Sequence, residues 1–311
     1  MSDPDAYRTK REWEVKKITA TVPRAALFKE EPERGIEIYG DGIGRVDLVD
    51  HMGSDLTIVN SARVSFGKHK EALDEKDKGL VNYLVKHRHT STFEHNVATF
   101  RFVVPLFVRS QHHRHRTWSY NEISRRYTDV NIQFYEPHAF RTQHKSNRQA
   151  SNAEELINPE VEWGGYAPCP ASDLVSIHNE KSLDLFEALV EAGVCREQAR
   201  GVLPQNLYTE YYGTVNLNNL LKFIDLRTHE GAQWEIQKVA EACLEIAEGL
   251  WPVAVGAYRQ AKKTKNKLKG LKAILDQERA FIIEINAGGQ HDGLSYNELI
   301  EMIDEFLESE E

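Results

Sequence analysis

Cysteine is scarce: 311 residues contain three, at positions 169, 195 and 243, with no C-x-x-C spacing. That excludes a disulfide framework and a four-thiolate zinc site, and it fits a reducing compartment. Long apolar runs are also missing. The most apolar stretch, Val97 to Val108, is interrupted by Arg101 and falls short of the roughly 20 residues that a membrane-spanning helix needs. The first residues, Met1-Ser-Asp-Pro-Asp-Ala-Tyr-Arg, carry no apolar signal-peptide core. A cytoplasmic protein with no membrane partner is the expectation. Basic charge is not in excess either: 39 Lys and Arg against 48 Asp and Glu give a net charge of −9. General nucleic-acid coating is therefore disfavoured, although a local basic patch still suits a phosphate.

What is present is an ordinary globular composition, 41% hydrophobic and 28% charged, enough for one large domain or two of about 150 residues. Residues 1–34 are polar, show no sustained period and read as an extension. Ile36 to Tyr39 and Arg45 to Val49 flank Gly40-Asp41-Gly42-Ile43-Gly44. No helical pattern opens on these glycines, so a hairpin turn is expected rather than a dinucleotide loop. Leu80, Tyr83, Leu84 and His87 recur at helical spacing. Ala98, Phe100, Phe102 and Val104 alternate as a strand does. Residues 131–140 suggest a further short strand, and 141–172, without period, a loop insertion. Three helices follow: one on Leu183, Phe186, Leu189 and Val190, closed by Gly193; one on Leu217, Leu220, Leu221 and Ile224, with Asn216 as N-cap; and one from Ala232 to Leu250, ending at Pro252. Six lysines between Lys262 and Lys272 look like a solvated boundary. Ser295 and Glu298 form a capping box for a small C-terminal helix.

Chemistry concentrates in Gln111-His-His-Arg114-His115-Arg116-Thr-Trp118-Ser-Tyr120-Asn-Glu122-Ile123-Ser124-Arg125-Arg126-Tyr127. Four arginines this close repel one another unless an anion sits among them, and Arg forks with a Ser hydroxyl suit phosphate oxygens. Glu122 is placed to orient guanidinium groups or to accept a ligand N–H or O–H. The interleaved rings of Trp118, Tyr120 and Tyr127 argue against a merely solvated face. Six of the 13 histidines lie between His87 and His115, which raises a metal site. No H-E-x-x-H occurs, however, and a dication among arginines is unfavourable, so no metal is expected. Pro168-Cys169-Pro170 superficially suits a nucleophile, but no Arg or His adjoins it. A nucleotide- or RNA-binding module and a metal-dependent phosphohydrolase are the alternatives these residues leave open.

Arg114-His115-Arg116, seven residues and then Ser124 resembles the RHR-x7-S signature of the flavin-dependent thymidylate synthases. Met52 to Asp55, Ala62 to Phe66, His89 to His95, Val202 to Tyr208, Asn216 to Arg227 and Ala232 to Ile236 resemble further blocks of that family, over roughly residues 36–260. The resemblance implies an α+β fold: a core over 35–261 with a mixed or antiparallel sheet and long helices, interrupted at 141–172, plus a helical C-terminal extension over 262–311. It implies methylation of dUMP to dTMP with methylenetetrahydrofolate as carbon donor. The reducing hydride would come from FADH2, regenerated by NADPH, and no enzyme nucleophile would be used. It also implies a homotetramer with shared active sites. By matched position, Ser91, Arg114, His115, Arg116, Glu122, Asn216, Asn218 and Lys222 correspond to flavin contacts. Gln111, Arg114, Glu122, Ser124, Arg125, Arg126, Arg200 and Arg227 correspond to the dUMP set, Arg200 reaching from another subunit. Arg227 corresponds to the catalytic residue that polarises the pyrimidine. Lys222, where Asn or His is frequent, and Gly231, where His is frequent, depart from the pattern.

Overall fold

The computed structural model describes residues 35–129, 131–147 and 151–285, together with Glu298 and Glu301. The 1–34 extension and the rest of the C-terminal capping-box segment lie outside the described residues. The strands are β1 (Gly35–Glu37), β2 (Arg45–Met52), β3 (Val97–Pro105), β4 (Ser119–Glu122), β5 (Phe140–Gln143), β6 (Ser151–Ile157), β7 (Glu160–Trp163), β8 (Tyr166–Pro170) and β9 (Tyr208–Asn216). The helices are α1 (Asp55–Arg63), α2 (Glu75–Lys86), α3 (Leu106–His112), α4 (Ala171–Glu191), α5 (Arg196–Ala199), α6 (Leu217–Arg227), α7 (Trp234–Leu250) and α8 (Pro252–Ile285). The fold is α+β, and the main sheet runs β1-β2-β3-β9-β4, each pair antiparallel.

Local chemistry explains most of these elements. The β1–β2 turn needs positive φ at Gly40 and Gly42, both +72°, and Asp41 Oδ1 accepts the Ile43 and Gly44 N–H groups at 2.9 Å. Asp74 and Asp77 cap α2 reciprocally. The Asn216 side chain accepts the Asn219 N–H at 2.9 Å and starts α6. Gly193, at φ +87°, ends α4, with the Val194 N–H donating to the Leu189 carbonyl.

Alternation on β3 buries Ala98, Phe100, Phe102 and Val104 completely, in one cluster with Leu220 and Phe223 of α6 and Ile236 and Val239 of α7. Each such large side chain contributes about 1.5–3 kcal/mol. At intervening Arg101, also buried, ion pairs to Asp47 at 3.0 Å and Glu210 at 2.6 Å compensate the charge. Pro252 opens α8, where its missing N–H costs nothing. Asp55 accepts the Val253 and Ala254 N–H groups at 3.0 and 2.9 Å, so a residue almost two hundred positions away satisfies that helix terminus. A smaller core joins Phe186 of α4 to Ala199, Leu203 and Leu207.

Four sequence expectations need correction. Residues 141–172 are not a loop: they carry the hairpins β5–β6 and β7–β8, the second turning at Gly164-Gly165 with φ of +63° and +81°. These strands are short and largely exposed, so no apolar alternation marks them. The strand expected over 131–140 is reduced to one bridge, Phe134 to Leu207, with β5 starting only at Phe140. Helix α4 begins at Ala171, twelve residues before the first apolar position that announces it, because its buried face there carries Asn179 and Ser182. The lysine run lies inside unbroken α8, with Lys262 paired to Asp225 at 2.9 Å, so position 261/262 falls within an element.

Candidate active site

The polar segment spans the end of α3, a turn, β4 at the sheet edge and the turn beyond it. Because β4 pairs with β9, and β9 leads directly into α6, the sheet brings the far end of α6 back over the first half of the segment. There Arg227, in the last turn of α6, donates from Nε to His115 Nε2 at 3.0 Å and from one terminal nitrogen to the Gln111 carbonyl at 3.4 Å. Two mutual effects follow. Burial and the Arg227 charge push the His115 pKa down to about 4, leaving a neutral ring whose Nε2 lone pair accepts. Burial also lowers the Arg227 pKa, yet a guanidinium keeps its charge. The outcome is a fixed, partly desolvated cation.

Gln111 is held from its other side. Its Nε2 donates to Gln233 Oε1 at 2.5 Å, and Gln233 Nε2 donates to Glu235 Oε2 at 2.9 Å. Beneath lies an aromatic wall: His112 is fully buried, with Nδ1 2.8 Å from the Tyr211 hydroxyl and Phe223 stacked on its ring. The Tyr120 hydroxyl donates to the His112 and His115 carbonyls at 3.0 and 3.2 Å, fixing the turn that carries Arg114 and Arg116. Among the described residues no three His, Cys, Asp or Glu side chains converge as a metal requires.

The second half of the segment is wired differently. Glu122 accepts Arg109 Nε at 3.0 Å and the Thr209 hydroxyl at 2.7 Å. Arg125 donates to the Asn131 carbonyl at 3.1 Å. Among the described residues Ser124 Oγ receives the Arg126 N–H alone, at 3.3 Å, and exposed Arg126 donates to the hydroxyl of exposed Tyr127. Arg114 and Arg116 are exposed too.

The remaining candidate residues fall elsewhere. Ser91 is exposed on a short 3-10 turn, and Asn218 donates to Glu94 at 3.0 Å. Asn218 and Lys222 line a cavity of about 320 Å3 with Thr90, Phe93, Leu221 and Arg88, which lies at the small end of ligand pockets. Apolar walls and cations there fit part of a flavin dinucleotide, its rings and its phosphates respectively. Arg200 is exposed and donates to the Glu197 carbonyl at 3.3 Å. Among the described residues no hydrogen bond or ion pair joins it to the polar segment. The Gly231 N–H donates to His229 Nδ1 at 3.0 Å. One chain therefore unites Gln111, His115 and Arg227 and leaves the other candidates dispersed. Sequence reasoning gave no role to Arg109, Thr209, Gln233 or Glu235; the signal available was Ala232-Gln-Trp-Glu-Ile236, whose two polar residues interrupt an apolar helix start.

A family model described as "Thymidylate synthase complementing protein" matches residues 47–253. A flavin-dependent thymidylate synthase of Thermus thermophilus is 42% identical over 240 residues, covering 76% of this chain and 84% of its own. Its counterpart in Thermotoga neapolitana is 43% identical, covering 69% and 90%. Among solved structures, a UMP/dUMP methylase, PolB from Streptomyces cacaoi, bound with 5-Br dUMP, superposes with a TM-score of 0.58 at 34% identity, covering 69% of this chain and 94% of its own.

Proposed function

Because the chain belongs to the flavin-dependent thymidylate synthase family, we propose that it converts dUMP to dTMP, with FAD as the flavin and no enzyme nucleophile. The observation that carries this reading is the Arg227 guanidinium, clamped between His115 and the Gln111 carbonyl. Methylating C5 of uracil builds negative charge on the pyrimidine. A cation already oriented and partly removed from water stabilises that charge without reorganising. His115 contributes by staying neutral, since a protonated ring would repel Arg227 and lose its acceptor.

Ser124, Arg126, Arg114 and, from another subunit, Arg200 form the phosphate-binding group, because exposed forks and a hydroxyl are free to close on a dianion. A homotetramer with shared sites belongs to the same reading, since Arg200 would come from another subunit. Ser91, Arg116, Asn216, Asn218 and Lys222 hold the FAD, Asn216 through the amide end not used in capping α6. Bound there, FAD supplies the reducing hydride, with NADPH as its reductant and methylenetetrahydrofolate as the carbon donor. The three cysteines stand apart from Arg227. Cys243 is buried, which pushes its thiol pKa far up, Cys195 contacts Gln198, and Cys169 sits in the β7–β8 hairpin.

The test is an anaerobic absorbance spectrum followed as NADPH is added, with and without dUMP. A flavin band that bleaches faster with dUMP is the expected result. A protein that stays colourless after FAD is offered overturns the reading.

A further inference from the structure

The Gln111 amide offers a donor at one end and an acceptor at the other, and the two are chemically opposite toward a ligand. Which end faces outward is settled by a chain of partners leading away from the site. Arg141 of β5 donates to Glu235 Oε1 at 2.6 Å, the Tyr135 hydroxyl adds a bond to the same oxygen at 3.3 Å, and Glu235 is 4% exposed. An ion-paired carboxylate offers only acceptors. Gln233, 2.9 Å from Glu235 Oε2, must therefore turn its NH2 group toward it. Its carbonyl is left for Gln111, which must turn its own NH2 group inward. Gln111 Oε1 then remains, with no hydrogen bond among the described residues.

We propose that Arg141, Glu235 and Gln233 are positioning residues that fix the Gln111 amide with its carbonyl oxygen outward, so that position 111 selects a nucleotide carrying a hydrogen-bond donor there. This rests on the dUMP reading. Two donors of dUMP qualify, the N3–H of the pyrimidine and the 3′-hydroxyl of the sugar. The inference gives the 141–172 segment a task, because Arg141 pairs with the Oε1 end of the buried Glu235 carboxylate and leaves Oε2 to accept from Gln233. Its guanidinium also lies over the Trp234 ring, 5.1 Å from the centroid, and stacking of this kind limits its swing.

Glu235→Gln reverses the logic while keeping shape. Arg141 and Tyr135 still demand an oxygen, so the new NH2 group faces Gln233. Gln233 then turns its own NH2 group toward Gln111, and Gln111 presents a donor outward.

The experiment measures the dissociation constants of dUMP, N3-methyl-dUMP and 2′,3′-dideoxyuridine monophosphate on the FAD-loaded enzyme. In the wild type one of the two analogues, whichever lacks the donor that is read, binds about 3–10-fold more weakly than dUMP. In Glu235→Gln that ratio falls to about 1, and Arg141→Lys keeps more of it than Arg141→Met. Gln233→Leu, which keeps the buried carboxylate and its Arg141 partner but removes the donor to Glu235 Oε2, also brings the ratio to about 1. A general loss of structure weakens all three ligands together and leaves the ratio unmoved. An unchanged ratio in both Glu235→Gln and Gln233→Leu, or no ratio in the wild type, overturns the inference. If the wild type does not bind dUMP, the functional reading itself fails. A nucleotide-free urea-unfolding cycle between Gln111→Ala and Glu235→Gln then decides the relay, and zero coupling overturns it.

Discussion

The two halves of the segment from Gln111 to Tyr127 carry the same kinds of residue in opposite states. In the first half, Gln111 and His115 are each bound by a residue more than a hundred positions away. In the second, among the described residues, the Ser124 and Arg126 side chains bond to near neighbours in the chain alone. Groups that must act on developing charge gain from being fixed beforehand. Groups that close on an anion gain from keeping their donors available for it. The contrast predicts that loss of the Arg227–His115 clamp lowers turnover and that loss of Ser124 or Arg126 weakens substrate binding.

Arg227→Ala is the most severe break. It should lower the rate of dTMP formation by about 100- to 1,000-fold or more while the flavin spectrum persists; an effect confined to KM would dissolve the contrast. Arg126→Ala and Ser124→Ala should raise the KM for dUMP by about 10- to 100-fold, the loss of charge-assisted bonds, with stability changed by less than about 0.5 kcal/mol. Steady-state kinetics and thermal melts check both.

A third test concerns acid. The His115 pKa is lowered on folding, so the folded state disfavours its protonation. Its contribution to stability is complete above the unfolded value of about 6.5 and is lost as pH falls toward about 4. The melting temperature should fall from about pH 6.5 downward, while the activity of the still-folded enzyme should hold until the pH approaches about 4. His115→Gln, which keeps an acceptor for Arg227, should flatten that dependence; an equally steep profile removes His115 as the cause. The smallest effect belongs to Cys169→Ala, which should leave kcat within about twofold, since the hairpin thiol has no part in the Arg227 cluster; a dead enzyme would restore a thiolate mechanism.

Legibility in the sequence followed the range of the interactions. Helices α2, α6 and α7, the β1–β2 turn and the buried face of β3 were readable, because caps, positive-φ glycines and periodic apolar residues act within a few positions. The exposed hairpins β5–β6 and β7–β8 were not, since neither face is buried and so neither shows a pattern. The start of α4 was hidden because between Leu174 and Phe186 its buried positions are the polar Asn179, bonded to Glu136, and Ser182. At the site, the order of Arg114, His115, Arg116 and Ser124 declared an anion-binding segment and the family resemblance.

By itself, then, the sequence determined which stretches fold locally and where arginines and histidines concentrate, because periodicity, capping and residue type are written along the chain. Only the tertiary structure decided that Arg227 meets His115 across 112 positions, that Gln233 meets Gln111 across 122, and that Arg141 holds Glu235 across 94. Those meetings depend on the register of β3, β9 and β4 and on the angle at which α6 and α7 cross the sheet. The direction of a hydrogen bond is set by the partner that geometry supplies, since a Gln amide, unlike a carboxylate, accepts either role.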